Sequence, residues 1–531
     1  MKRTLHILFW LQLIIIFPGL AQKNTNPGAI TTPYPTLTNL AVEWAIQGDD
    51  NMNGQVTLQF REKGNKEWRQ GMPLFRVPKG QNIGFTWINK HSGSIFDLKP
   101  NTEYEIKLKL ADPDGGSIER TIAANTRPVP EIGKNAEIID LPPGRNDTLH
   151  TKSGTIEKPV AYCCKSGIAT FTYIDLNNRQ WVYIDGLNIE NNNKEGIGIQ
   201  LNGAKNCAVI GCTVNSVYGI VAYKPGATNC YISDNVVTGK CVWTSEAMGS
   251  NGDNIGEGIE MTGPGNVICY NRVTGFRDCI STMEDQHVVN QTCIDIYNND
   301  IFRGVDDAIE ADFCFSNCRI FRNRITNCYM GLSSQPGLGG PNYFVKNVMY
   351  NIINGGLKLQ RHSQGDVILH NTIIKIGRGL GGNEAMDYQY FRNNLAIGGP
   401  IPEKKWGNYG VGNPYAADIE DPGEHSSFDY DAVGVYGTPY KTKIGDKTFA
   451  EVEPHGIERI TLEETFNNIE FPNPPAPERP VPDLRPKLNS KVIDAGVVIP
   501  NINDNYSGTA PDCGAYEAGQ KLPHYGPRTL K

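Results

Sequence analysis

The chain has 531 residues, more than one ordinary hydrophobic core accommodates, so two or more domains are expected. Its formal net charge of −7 argues against non-specific nucleic-acid binding, because that binding requires a basic surface. Charged residues make up 20% of the chain and glycine occurs 57 times, a composition that favours a turn-rich β protein over a helical one.

The N-terminal segment, residues 1–21, has the pattern of a secretory signal peptide. Lys2 and Arg3 are basic, residues 8–17 are apolar, and Ala21 marks the expected cleavage point. A signal anchor is the alternative, although the apolar run is short for a membrane span. No later stretch has the length of a span, so we predict a secreted or periplasmic protein without a membrane span.

Residues 28–128 consist of short runs in which polar and apolar residues alternate between turn residues, a pattern that predicts a β-sandwich. The segment LKPNTEYEIKL resembles the fibronectin type III module, with Leu98, Pro100 and Tyr104 at that family's positions before a strand. Trp44 matches the family's strand tryptophan. The resemblance implies a tyrosine corner, in which the Tyr104 hydroxyl bonds to nearby backbone. It also implies a spacer or binding accessory, and we assign this module no chemistry.

Residues 134–400 contain a repeat of about 24 residues, rich in Val, Ile, Tyr and Asn with a period near two. The landmark residues of the repeat are Asn235, Asn271, Asn299, Asn323, Asn347 and Asn371. Such a repeat predicts one turn of a parallel β-helix, with turns about 4.8 Å apart. The Asn side chains are expected to bond from turn to turn at a tight bend, where Asn tolerates left-handed backbone.

The thirteen cysteines follow the same repeat and are not arranged in CxxC pairs, so a zinc site is not expected. Cys230, Cys293 and Cys318 precede a landmark Asn by five or six positions, and Cys207 precedes the corresponding position of an earlier repeat in the same way. They predict a buried ladder of thiols. Isolated disulfides between neighbours are the alternative for an exported protein.

The repeats resemble the right-handed β-helix superfamily of carbohydrate-active enzymes, which includes pectate lyases, polygalacturonases and other polysaccharide lyases. The segment 490–519 is similar to the C-terminal ending of many secreted members. We therefore predict an all-β chain: a right-handed parallel β-helix solenoid preceded by a small β-sandwich, with residues 401–531 as an irregular extension packed on the solenoid. In this superfamily active clefts run along one face of the solenoid, but the fold alone does not define the reaction.

The repeats align on a Gly-Ile or Gly-Leu pair, whose Ile or Leu faces the core while the next residue faces solvent. The first outward column contains Gly198, Val221, Glu260, Ser281, Glu310, Ser333 and Lys358. A second column, two residues on, contains Gln200, Tyr223, Thr262, Met283, Asp312, Gln335 and Gln360, and Arg361 and His362 close the last strand. Asp306 and Asp307 fall in the turn before one of these strands, where it is open whether they do more than cap it.

Elimination on a uronate-containing glycan is the first chemistry that this face suits. It requires a base and positive charge beside the substrate carboxylate. Lys358 or His362 is the expected base, and Arg361 suits the carboxylate bidentately. The expected catalytic residues are Lys358, His362, Arg361, Glu310 and Asp312. The residues expected to contact substrate are Glu260, Gln335, Gln360 and Tyr388. Glu260, Glu310 and Asp312 are candidate ligands for Ca²⁺, which prefers hard oxygens.

Glycoside hydrolysis by paired carboxylates is the alternative, with Glu310 and Asp312, or Glu260 and Glu310, as the pair. The polygalacturonase-type hydrolases carry a Gly-His-Gly and an Arg-x-Lys that this sequence does not match. A non-catalytic glycan-binding solenoid is the third hypothesis. We place elimination first, as a lyase or a sugar dehydratase, because the cationic residues compensate an anionic substrate. The expected partner is an acidic polysaccharide or oligosaccharide, and the expected state is a monomer.

Overall fold

The computed structural model describes residues 22–249, 254–282, 288–407 and 410–529, so the predicted signal peptide lies outside the described residues. The described chain is almost entirely β. Its helical segments are one short 3-10 turn, Ser245–Ala247, and the four-residue helices α1 (Phe449–Val452) and α2 (Leu462–Thr465). None of these described segments is long and apolar enough to cross a membrane. The predicted all-β class is confirmed.

The N-terminal module comprises two antiparallel sheets and a separate hairpin. Its strands are β1 (Thr25–Thr31), β2 (Leu40–Gly48), β3 (Gln55–Glu62), β4 (Arg69–Gln70), β5 (Phe75–Val77), β6 (Gly80–Asn82), β7 (Phe85–Trp87), β8 (Lys90–Ile95), β9 (Glu103–Ala111) and β10 (Ile118–Asn125). One sheet has the order β1-β2-β8-β5 and the other β10-β9-β3-β4, while β6 and β7 pair only with each other.

The core of the module contains the aromatic residues that the sequence singled out. Trp44 is 1% exposed and Tyr104 is 3% exposed. The backbone N–H of Lys99 donates to the Tyr104 hydroxyl at 2.8 Å, which is the side-chain-to-backbone bond expected of a tyrosine corner. A small sandwich before the solenoid is therefore confirmed, and membership of the fibronectin type III family stays a prediction.

A parallel β-solenoid of about 13 turns follows the module. Its first strands are β11 (Glu137–Asp140), β12 (Gly144–His150), β13 (Val160–Cys163), β14 (Ala169–Asp175), β15 (Val182–Asp185), β16 (Asn188–Glu190), β17 (Ile197–Gln200), β18 (Ala208–Ile210), β19 (Thr213–Asn215), β20 (Tyr218–Ala222), β21 (Tyr231–Ser233) and β22 (Val236–Thr238). Its middle strands are β23 (Glu257–Met261), β24 (Val267–Cys269), β25 (Arg272–Phe276), β26 (Asp278–Ser281), β27 (Asp295–Tyr297), β28 (Asp300–Glu310), β29 (Arg319–Phe321), β30 (Arg324–Ser334), β31 (Leu338–Val345) and β32 (Val348–Leu359).

The solenoid continues beyond residue 400. The remaining strands are β33 (Ser363–Leu369), β34 (Thr372–Lys375), β35 (Leu380–Asp387), β36 (Tyr390–Arg392), β37 (Leu395–Gly398), β38 (Ala417–Asp421), β39 (Ser427–Asp429), β40 (Ala432–Val435), β41 (Thr442–Ile444) and β42 (Ile457–Glu458). Strands β38 to β42 pair with earlier strands of the two long sheets, so the segment predicted as an irregular extension supplies further turns. Irregular chain then packs against the solenoid, where Cys513 and Tyr516 are buried.

The predicted Asn ladder is present. The side-chain amide of each landmark Asn donates to the Oδ1 of the next at 2.9–3.0 Å, from Asn235 to Asn371. The ladder then continues through Asn394 to Asp431. The prediction was wrong in one respect, because the left-handed residue is the one before each Asn, as at Arg322 (φ 54°).

All thirteen cysteines are free thiols in the structure, and most are buried. Cys207 and Cys230 occupy consecutive positions of one column, as predicted, because the N–H of Tyr231 bonds to the carbonyl of Cys207. Cys293 was placed wrongly in that ladder. Ile294 holds the corresponding position, and Cys293 occupies the left-handed position before it, with φ 56°.

Candidate functional site

The predicted column exists as a ladder of paired residues across adjacent strands, but the prediction that it faces solvent was wrong, because Val221, Glu260, Ser281 and Ser333 are at most 1% exposed. Its members are Val221, Glu260, Ser281, Glu310, Ser333 and Lys358. The preceding residues Ile259, Ile280 and Ile309 are fully buried in the core, which fixes the orientation of the column. Gly198 was assigned to it wrongly, since Gln200 is the residue that pairs with Val221.

A second ladder lies three residues upstream of the first. Glu257 pairs with Asp278 across β23 and β26, and Asp307 pairs with Met330 across β28 and β30. The backbone N–H of Asp307 donates to Asp278 Oδ1 at 2.7 Å, which links the two halves of this ladder. A register shift between Gly304 and Asp307 interrupts β28. Carboxylates from the two ladders therefore approach each other.

We call the resulting group the acidic cluster. Its members are Glu257, Asp278, Asp306, Asp307, Glu310 and Asp312. Asp306 and Asp307 are 7% and 1% exposed, so they are part of the cluster and not solvated caps of a turn. Like charges this close repel each other strongly when burial removes the screening of water.

Lys358 provides a cation inside this cluster. Its Nζ lies 2.6 Å from Asp307 Oδ2, and its side chain is 14% exposed. Burial lowers the pKa of Lys358, but Asp307, Asp312, Glu310 and Asp306 together outweigh burial and raise it well above its ordinary value. Lys358 is consequently an ammonium ion at neutral pH as long as these carboxylates are uncompensated.

The same crowding also raises the pKa of the carboxyl groups, and for an acid a raised pKa favours the neutral form. Burial and the charges of Asp278 and Asp312 raise the pKa of Glu310 well above its ordinary value. Burial and the charge of Asp307 raise the pKa of Asp278 to about 7. Arg277 offsets part of this repulsion, with its Nε 3.5 Å from Asp278 Oδ2 and 3.7 Å from Asp306 Oδ2. The cluster thus retains protons that separated carboxylates would lose.

Two serines of the outward column bind carboxylates of the cluster. Ser281 Oγ donates to Glu310 Oε2 at 3.0 Å, and Ser333 Oγ donates to Asp312 Oδ1 at 2.6 Å. The backbone N–H of Gln335 donates to the same Asp312 oxygen at 2.8 Å. These bonds orient the carboxylates, so the serines do more than leave room for a sugar ring.

A cation could be held by part of the cluster. One carboxylate oxygen each from Glu257, Asp278 and Glu310 lies within 4.8 Å of the others. An all-oxygen donor set of this kind fits Ca²⁺ or another hard divalent cation. Of the three residues predicted from the sequence as Ca²⁺ ligands, only Glu310 belongs to this group in the described chain. Glu260 and Asp312 do not belong to it.

The predicted residues Arg361 and His362 lie at the rim, immediately after β32. Both are exposed and both have left-handed backbone, with φ 54° and 55°. Asn82 Nδ2, at the tip of the β6–β7 hairpin, donates to the carbonyls of Arg361 and His362 at 2.8 and 3.1 Å. The N–H of Arg361 also donates to Glu384 Oε2 at 2.7 Å. The N-terminal module therefore holds the chain segment that follows Lys358.

The same hairpin contacts the chain beside Asp312. Phe85 packs edge-to-face against Phe313, with ring centroids 5.8 Å apart, and against Phe315 at 5.6 Å. Phe313 directly follows Asp312 in the sequence. The hairpin therefore contacts the chain beside Asp312 as well as the chain that follows Lys358.

Three other predicted contact residues occupy different places. Gln335 and Gln360 are half-buried at the ends of their strands, beside Ser334 and Leu359. Tyr388 stacks on His425 with centroids 4.5 Å apart, in a cavity of about 120 Å³ between the module and the solenoid. That cavity is lined by none of the cluster residues. Tyr388 therefore lines a cavity to which the acidic cluster does not contribute.

The sequence interpretation missed Glu257, Asp278 and Arg277. A signal was available, because Glu257, Asp278 and Asp307 each lie three residues before a member of the outward column. This signal was overlooked because strict alternation points the side chain of a residue three positions upstream toward the opposite face of the strand.

Comparisons with known proteins give no family for this chain. No family model matches it, and no curated protein sequence matches it.

Proposed function

We propose that the chain is a carbohydrate-active enzyme that cleaves an acidic, uronate-containing polysaccharide or its oligosaccharides by β-elimination. The observation that carries this proposal is the position of Lys358, whose ammonium group lies 2.6 Å from Asp307 inside the acidic cluster. A basic side chain beside a group of oxygens suited to a hard cation is the pair of functions that elimination requires.

The elimination step uses Lys358 as the base. Lys358 Nζ takes the proton from the carbon beside the uronate carboxylate, a carbon–carbon double bond forms, and the carbon–oxygen bond to the leaving sugar breaks. The leaving oxygen takes up a proton from solvent. A divalent cation held by Glu257, Asp278 and Glu310 would supply the positive charge that stabilises the substrate carboxylate.

The charge balance of the cluster makes such a cation consistent with a basic Lys358. Four carboxylates keep Lys358 protonated, while burial alone favours its neutral form. A cation bound to Glu310 and its neighbours would offset part of the carboxylate charge and so lower the pKa of Lys358 toward the range in which it acts as a base. Exposed Arg361 at the rim then supplies further positive charge for an acidic chain.

Hydrolysis is the second candidate function, and one observation favours it. Glu310 has a strongly raised pKa and suits a general acid, whereas Asp307 is paired with Lys358. Two carboxyl groups in different environments are the arrangement that glycoside hydrolases use. A glycan-binding solenoid without catalysis is the third candidate.

A single assay separates these candidates. Purified protein is incubated with polygalacturonate, alginate and glucuronan, with added Ca²⁺ or with EDTA, and absorbance near 235 nm is followed together with reducing ends. Elimination predicts both signals, and their loss with EDTA. Reducing ends without absorbance would indicate hydrolysis. The absence of both signals with every polymer would contradict the proposed enzyme and leave a binding solenoid.

A further inference from the structure

A cavity of about 420 Å³ lies next to the acidic cluster along the solenoid. We call it the lysine pocket, and its principal lining residues are Lys194, Val217, Lys240, Val242, Asn254 and Ile255. Its volume falls within the usual range for ligand pockets. Ile255 lines the pocket and Glu257, two residues further on, belongs to the cluster, so the two sites are adjacent on one stretch of chain.

The charge of the lysine pocket is opposite to that of the cluster. Lys194 and Lys240 are both exposed, and within the described part of the chain neither ammonium group forms an ion pair. A carboxylate, Glu246, also lines the pocket, and it accepts a hydrogen bond from Ser245 Oγ at 2.8 Å. The pocket therefore has more positive than negative charge and suits an anion.

A buried acceptor without a partner also lines this pocket. Asn254 is 6% exposed, and its Nδ2 donates to the carbonyls of Ala247 and Gly249. Its Oδ1 has no hydrogen-bond partner among the described residues. A ligand hydroxyl that donates to this oxygen would remove the cost of the unsatisfied acceptor.

The wall of the pocket is apolar and unusually open to solvent. Val242 is 56% exposed and Ile255 is 46% exposed. An apolar surface beside hydroxyl acceptors and cations matches one face of a sugar ring that carries hydroxyl groups and a carboxylate. A simple inorganic anion would leave the apolar wall and Asn254 unused.

We infer that the lysine pocket is a subsite that binds an acidic sugar residue of the substrate next to the bond that is cleaved. This inference rests on the proposed function and extends it, because it places a second sugar on the turns that precede the cluster. Lys194 and Lys240 bind the sugar carboxylate, and Asn254 Oδ1 accepts a hydrogen bond from one of its hydroxyls.

The test measures binding separately from cleavage. The affinity of the full-length protein for polygalacturonate, alginate, glucuronan and neutral dextran is compared between wild type and the double variant K194Q/K240Q. The matched control is K165Q/K205Q, which removes two exposed lysines that do not line the pocket. We expect affinity for a uronate polymer to fall about tenfold in K194Q/K240Q and to stay unchanged in the control. Added salt should weaken wild-type binding more than variant binding.

The outcomes distinguish the subsite from the proposed function. Equal affinity of K194Q/K240Q and wild type would overturn the subsite, whatever the elimination assay shows. The same holds if wild type binds dextran as well as it binds the uronate polymers. A tenfold loss of uronate binding, without a 235 nm product from any of these polymers, would support the subsite and overturn the proposed elimination.

Discussion

Two buried polar arrays run along this solenoid, and they are satisfied to different degrees. In the Asn ladder, Asn323 Nδ2 donates to Ile296 O and to Asn347 Oδ1, and its own Oδ1 accepts from the N–H and the amide of Asn299. All four hydrogen-bonding positions of that amide are therefore used.

The acidic cluster has the opposite character. Its carboxylates repel each other, and Asp307 Oδ1 is buried without a hydrogen-bond partner in the described chain. A neutral, fully bonded array stabilises the fold, whereas a crowded and incompletely bonded one lowers stability and is retained for function. The difference teaches that the degree of hydrogen-bond satisfaction, more than burial, separates the Asn ladder from the candidate site.

Replacement of Lys358 should give the largest effect. We expect Lys358→Met to reduce the elimination rate about 1000-fold, because general base catalysis contributes on the order of 10²–10⁴. The matched control is Lys346→Met, another buried lysine, whose Nζ donates to the carbonyl of Ile502 away from the cluster. Initial rates at 235 nm measure the effect. Equal losses in both variants would show that Lys358 has only a structural role.

Replacement within the ladder should change stability and leave the chemistry intact. Asn323→Leu removes the acceptor of two Asn299 groups and the donors to Ile296 and Asn347. Since unsatisfied buried groups cost about 1–3 kcal/mol each, we expect the free energy of unfolding to fall by about 3 kcal/mol. Urea denaturation measures this loss. A kcat reduced as strongly as in Lys358→Met would contradict the separation of the two arrays.

Binding of calcium at the acidic cluster should stabilise the fold, and this gain should not depend on the Asn ladder. If Glu257, Asp278 and Glu310 hold Ca²⁺, a concentration 100 times the Kd stabilises the fold by about 2.7 kcal/mol. Thermal unfolding at pH 8 with and without EDTA measures this gain. We expect Glu257→Gln to abolish it and Asn323→Leu to retain it. A calcium effect of equal size in Glu257→Gln would exclude this group of ligands.

The C-terminal end of the ladder offers a test of charge in an otherwise neutral array. Asp431 takes the place of an Asn, and burial raises its pKa to about 7 from an ordinary value of 3.8. Because its folded-state pKa is raised, its contribution to stability is complete below pH 4 and is lost as the pH rises through 7. Asp431→Asn should therefore be more stable than wild type at pH 8 and show a flatter profile between pH 4 and 7. An unchanged melting profile would contradict this charge effect.

The parallel repeat explains why the fold and one column of the site were predictable. Each turn presents the same position to the same side, so Ile309 and Glu310 could be assigned by counting from the repeat. The counting failed where the chain departs from the repeat, at Gly198 on an early turn and at the register shift after Gly304. The approach of Asp278 to Glu310 was not among the contacts that counting predicted.

Contacts between distant segments were beyond the reach of the sequence. Asn82 and Arg361 are 279 positions apart, and nothing in either segment indicates the other.

Asn82→Ala removes the donor to two carbonyls at the rim, so Arg361 and His362 should be less well positioned for the substrate. We expect KM for a uronate polymer to rise about threefold, the effect of one exposed hydrogen bond, with kcat nearly unchanged. Asn51, which bonds to Asp114 within the module, provides the control variant Asn51→Ala. Equal KM values for Asn82→Ala and wild type would mean that the hairpin only supports the fold, whereas a specific rise would make the N-terminal module part of the substrate-binding surface.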